Sequence, residues 1–104
     1  MSTIRFDVGG LHFEWDSEKA VANQTKHGVS FLEAATAFSD DLSITVPDPL
    51  HSQDESRFIL IGVSAESRLL TVVHVERDVV YRIISARKPT PKERRDYERE
   101  PGIG

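Results

Sequence analysis

Apolar and polar residues alternate in "IRFDV" and "LHFEW", two short segments set around Gly9 and Gly10. Glycine takes positive φ at little steric cost, so the pattern predicts a tight β-hairpin with Ile4, Phe6 and Val8 on one face. Asp16 then stands where an N-cap belongs. With Glu18 in the first turn and Gly28 as a left-handed terminator after "KH", it predicts a helix of about three turns. Ser30 and Glu33 have the spacing of a capping box, and Phe31, Ala34, Ala35 and Phe38 recur at helical intervals, so a shorter helix follows directly. "LSITV" has strand propensity and is closed by Pro47 and Pro49, and "DPLHSQDES" reads as a solvated loop.

Three longer strand-like runs come next: "RFILIGV", "RLLTVVHVE" and "VVYRIISAR". Their short polar links, "SAES" and "RD", suit antiparallel hairpins. In "TPKERRDYERE", Thr90 is placed as N-cap, Pro91 at the first helical position and Glu93 two residues on, which predicts a charged and mostly exposed terminal helix. The order is β-β-α-α-β-β-β-β-α. It predicts an α+β fold: a small, mostly antiparallel sheet with two helices from the N-terminal half and one C-terminal helix. Residues 1–98 are expected to form one domain and 99–104 a frayed tail.

Composition narrows the chemistry. The formal charge over 104 residues is -4, but it is segregated: residues 1–76 hold 5 basic and 12 acidic side chains, and residues 77–104 hold 8 basic and 5 acidic. Such asymmetry says more about partners than the total does. The absence of cysteine excludes disulfides and thiolate metal sites and fits a reducing compartment. The N-terminus has no apolar signal region, and no apolar run nears the ~20 residues of a membrane helix. A soluble, cytoplasmic protein is expected.

His12, His27, His51 and His74 include no pair at i, i+4 spacing, so no metal or other cofactor is expected. There is no G-x-S-x-G elbow and no phosphate-cradling glycine loop. Guanidinium chemistry remains. Arg77, Arg82, Arg87, Arg94 and Arg95 lie on two strands and the last helix, but the strand period of two turns Arg82 and Arg87 to opposite faces unless a bulge intervenes. Arg82, inside an apolar run, needs either a cleft or a carboxylate, with Glu76 and Glu55 as the candidates for a plain salt bridge. Lys92, Arg94, Arg95 and Arg99 alternate with acids and suit a solvated, ion-paired face. Lys26 and His27 suit a helix C-terminus, where the macrodipole favours cations, and equally suit a phosphate. Glu55 and Arg57 read as a loop-end ion pair or as an acid and a base at a strand's mouth.

Taken together, "FEWD" with Lys19 and Asn23, "KHGVSFLEAATAF", "DESRFILIG" and "RIISARKPTPKERRDYE" resemble the BrnT family of bacterial type II toxins, over about Phe13 to Glu98. The first dozen residues are additional to that pattern, and Pro89 replaces the usual alanine. The resemblance implies a RelE/ParE-like fold and a ribonuclease that cuts RNA without a metal and stops translation. It also implies a BrnA-like ribbon-helix-helix antitoxin, with operator DNA bound only through the toxin–antitoxin complex. Such cleavage needs the 2′-hydroxyl deprotonated, the charge on the phosphate offset and the leaving oxygen protonated. Arginine's planar fork suits the second task. Arg82 and Arg87 are therefore expected to clamp the phosphate, with Arg57 and Arg77 binding substrate and Lys26 adding positive potential. His27 is the first choice for proton transfer, and Glu55 would need burial to raise its pKa. The alternative is a binding module without catalysis, or a toxin that keeps the fold and has lost cleavage.

Overall fold

A computed structural model describes residues 2–50 and 56–99. Thr3–Val8 (β1) and Leu11–Asp16 (β2) form the expected hairpin, with φ of 58° at Gly9 and 80° at Gly10. Ser17–His27 (α1) begins where the Asp16 carboxylate accepts from the Lys19 amide and ends at Gly28, φ 70°. Phe31–Thr36 (α2) runs into a 3-10 turn at residues 37–39. Ile44–Pro47 (β3), Arg57–Val63 (β4), Leu69–Arg77 (β5), Val80–Arg87 (β6) and Pro91–Glu98 (α3) complete the chain. None of these helices is long and apolar enough to cross a membrane.

The six strands form one mixed sheet in the order β1-β2-β6-β5-β4-β3. All neighbours are antiparallel except β2 and β6, which run parallel. That pairing needs a crossover, and the long connection from β2 through α1 and α2 provides the chain for it. The helices α1 and α2 cover one face. There Phe13, Trp15, Leu70, Val72, Ile83 and Ala86 pack on Val29, Phe31, Ala34 and Ala35. Removing these apolar surfaces from water is the main stabilising term. Asn23 joins α1 to β6, donating to the Ala86 and Val29 carbonyls and accepting from the Ala86 amide, at 2.9–3.1 Å.

One irregularity shapes the other face. Val73 pairs with Ser85 but His74 with Ile83, leaving Ile84 as an extra residue in β6. This bulge resets the alternation, so that Ile83 and Ala86 both enter the core. It also turns Arg82 and Arg87 to the same face, the exception that a strict two-residue period excludes.

Only half of the capping box expected at Ser30 and Glu33 forms. Ser30 accepts from the Glu33 amide, but the buried Glu33 carboxylate turns away to Arg68 and Ser64. The box at Thr90 is complete. The helix α3 lies on the second face, where Glu93 reaches Thr71 and Arg87, and the Tyr97 hydroxyl donates to Asp40 at 2.6 Å. As expected for an ion-paired surface, Lys92 and Arg94 pair with Asp96 and Glu98.

Candidate nucleic-acid interface

On the face away from α1 and α2, strand register lines up five residues straight across the sheet. Arg57 is opposite Val75, Val75 opposite Arg82, Arg82 opposite Glu14, and Glu14 opposite Arg5. Residues directly opposite share a face, so three arginines stand in one row, each about 10 Å from the next at two strand spacings. Arg82 Nη1 donates to Glu14 Oε2 at 2.9 Å, and Arg5 Nε lies 3.7 Å from Glu14 Oε1. Arg57 Nε is enclosed, 3.5 Å from Asp48 Oδ2 and without a hydrogen bond. Val75, between Arg57 and Arg82 in the row, is buried. The partner of Arg82 among the described residues is thus Glu14, and not Glu76. Glu76 points to the other face, where it bonds His74.

Two residues further along the strands, a second row holds Arg77, Val80, His12 and Asp7. Here His12 Nδ1 and Asp7 Oδ1 are 2.8 Å apart. The carboxylate fixes the ring and leaves Nε2 available for proton transfer. This pair sits on the face that carries Arg82.

The remaining expected site residues go elsewhere. Arg87 shares the face of Arg82 but lies four strand steps away, roughly 13 Å. Both arms of its fork are held by Glu93, at 2.7 and 3.0 Å. Burial raises the Glu93 pKa, but Arg87, the Thr90 amide and the Thr71 hydroxyl together outweigh it and leave the carboxyl at about 2. A joint clamp by Arg82 and Arg87 on one phosphate is therefore not formed, because each guanidinium has its own carboxylate. Lys26 and His27 end α1 on the opposite face and have no ion pair among the described residues. Glu55 lies outside the described residues, as does His51.

Arg5, Asp7, His12 and Glu14 escaped the sequence reading as site residues. Alternation did place these four on one side of the hairpin, opposite Ile4, Phe6 and Val8. Nothing local revealed that this side would face Arg82. Among the described residues no group of histidine and acidic side chains is arranged to hold a metal ion.

Comparison with known proteins assigns the family. The sequence model of the ribonuclease toxin BrnT, of type II toxin–antitoxin systems, matches residues 15–93. A crystal structure of the Brucella abortus ribonuclease toxin BrnT superposes with a TM-score of 0.57 at 22% identity, covering 73% of this chain and 92% of that one. At that identity the likeness is one of fold. No protein of curated function matches the sequence. Since the family match spans most of the chain, from the end of β2 into α3, this protein belongs to the BrnT family of ribonuclease toxins of type II toxin–antitoxin systems.

Proposed function

We propose that the chain is an endoribonuclease toxin of RelE/ParE-like architecture that cuts RNA in the cytoplasm without a metal and so stops translation. Its partner in this reading is a BrnA-like ribbon-helix-helix antitoxin, through which the pair reaches operator DNA. The observation that carries the reading is the row of Arg57, Arg82 and Arg5 across one face of the sheet.

Arg82 uses one guanidinium arm on Glu14 and keeps further N–H donors for a phosphate. Arg57 and Arg77, on neighbouring strands of the same face, add positive potential for the substrate. The bond O2′–P forms as P–O5′ breaks, giving a 2′,3′-cyclic phosphate and a free 5′-hydroxyl. A base takes the 2′-hydroxyl proton, and an acid returns one to the leaving oxygen. We place this proton transfer on His12, oriented by Asp7, because His27 lies on the other face from Arg82. Arg87 holds α3 in place through Glu93.

The test is cleavage of a defined RNA in chelator, with folding followed by circular dichroism. His12→Ala should lower kcat at least 100-fold and His27→Ala by less than threefold; the reverse ranking would return the chemistry to His27. Arg82→Lys should also lose most activity, since an ammonium does not reproduce the planar fork. One observation favours a second reading, a docking module without catalysis: both Arg82 and Arg87 are already neutralised by carboxylates. A folded wild-type protein that leaves RNA intact at every pH would establish that reading instead.

A further inference from the structure

At the far end of the sheet from the arginine row, the β4–β5 turn and the β6–α3 link enclose a hollow of about 410 Å³, lined in part by Ser67, Arg68, Lys88, Pro89 and Arg94. The Arg68 guanidinium is held rigidly. Its Nε donates to Glu33 Oε2 at 2.9 Å and Nη2 to the Gly28 carbonyl at 3.1 Å, with a further contact from Nη2 to Glu33 Oε1. Glu33 is itself buried and anchored by Ser64 at 2.7 Å. This leaves Arg68 Nη1 uncommitted among the described residues. Lys88 is exposed, and Arg94 is half exposed with Glu98 at 3.8 Å, so two long, adaptable cations border the fixed one.

We infer that this hollow binds a backbone phosphate of the RNA strand, remote from the phosphate at Arg82; the inference rests on the ribonuclease reading above. A guanidinium fixed along one edge, in a hollow that a lysine and a second arginine also line, suits a compact tetrahedral anion. The hollow also lies on the line of β6: with the Ile84 bulge adding no step, Lys88 is five strand steps from Arg82, about 17 Å. At roughly 3.4 Å per stacked nucleotide, that span corresponds to about five nucleotides. The substrate is then a stacked single strand of more than five nucleotides, and shorter stacked RNA reaches only the arginine row.

The experiment measures binding of 2′-O-methyl RNA, which lacks the attacking hydroxyl, as a ten-mer and as a four-mer across a range of salt concentrations. The proteins are wild type and the double variant Lys88→Ala/Arg94→Ala, whose altered side chains are on the surface. The wild type should show a steeper salt slope for the ten-mer than for the four-mer. The double variant should lower the ten-mer slope by about 0.7, the share of the one phosphate no longer neutralised, and leave the four-mer unchanged. An unchanged ten-mer slope overturns the hollow as a phosphate site, while the arginine row stands if Arg82→Ala still weakens binding. A double variant that binds RNA normally but loses binding to poly-glutamate overturns it in favour of an acidic protein segment. A wild type that binds neither oligonucleotide removes both this inference and the ribonuclease reading.

Discussion

Glu14 and Arg82 stand directly opposite each other where β2 and β6 run parallel, joined by a 2.9 Å hydrogen bond. Sixty-eight residues separate them in sequence, and Glu14 serves Arg5 as well. Glu14→Gln should therefore act in two opposed ways. Stability should fall by about 1 kcal/mol, because a partly buried pair loses its negative partner. Affinity for RNA should rise several-fold at low salt and converge with wild type at high salt, because an unneutralised Arg82 attracts phosphate. Thermal melts and fluorescence anisotropy read the two effects separately.

Glu93 gives α3 an acid-sensitive anchor. Its carboxyl is held at about 2 against an ordinary 4.5. A depressed carboxylate pKa contributes stability that is present above pH 4.5 and lost as pH falls through the folded value. Unfolding midpoints should drop steeply between about pH 4.5 and 2. Glu93→Gln should lower stability by about 2 kcal/mol at neutral pH and flatten that acid limb, as the two bonds to Arg87 lose their charge. A titration of melting temperature for both proteins checks this.

The other end of α3 responds to base. Asp40 pushes the Tyr97 hydroxyl up to about 12. Burial raises the Asp40 carboxyl in turn, but Tyr97 and the Val63 and Leu42 amides outweigh it and hold that carboxyl low. A raised pKa gives stability fully present below pH 10 and lost as pH rises through about 12. Tyr97→Phe should remove this alkaline dependence and expose the amides of α3 to faster hydrogen exchange, with the sheet core unchanged.

His74 is enclosed in the core by Phe38, Phe58 and Tyr81, with only Nε2 hydrogen-bonded, to Glu76 at 3.0 Å. Burial lowers its pKa below 6.5, opposed by Glu76. Its neutral form is the folded one, so stability should fall as pH drops below about 6.5, where the unfolded chain takes up the proton. His74→Phe should abolish the loss between pH 7 and 5. Denaturant midpoints at the two values decide it.

Gly62 is fixed by close packing. A Cβ there would lie 2.8 Å from the Ala37 carbonyl oxygen and 3.1 Å from Ser43 Cβ. Gly62→Ala should cost about 1–3 kcal/mol, in contrast to a surface glycine, because the obstructing atom is backbone. Chemical denaturation measures the difference.

The amino-acid sequence by itself determined the order of elements, the hairpin at Gly9 and Gly10, the caps at Asp16, Gly28, Ser30 and Thr90, and the apolar face of α2. Each depends on residues within a few positions of one another, where backbone preference and side-chain reach suffice. Even there Glu33 departed from its expected cap, because Arg68 offered a buried carboxylate a charged partner. The tertiary structure alone decided that β2 lies beside β6, that Ile84 bulges, and that Arg82 meets Glu14 while Arg87 meets Glu93. Strand neighbours are chosen by burial of whole sheet faces, and one extra residue reverses every side chain beyond it. For that reason the arginines were legible as a composition, and their arrangement into a row and a separate hollow was not.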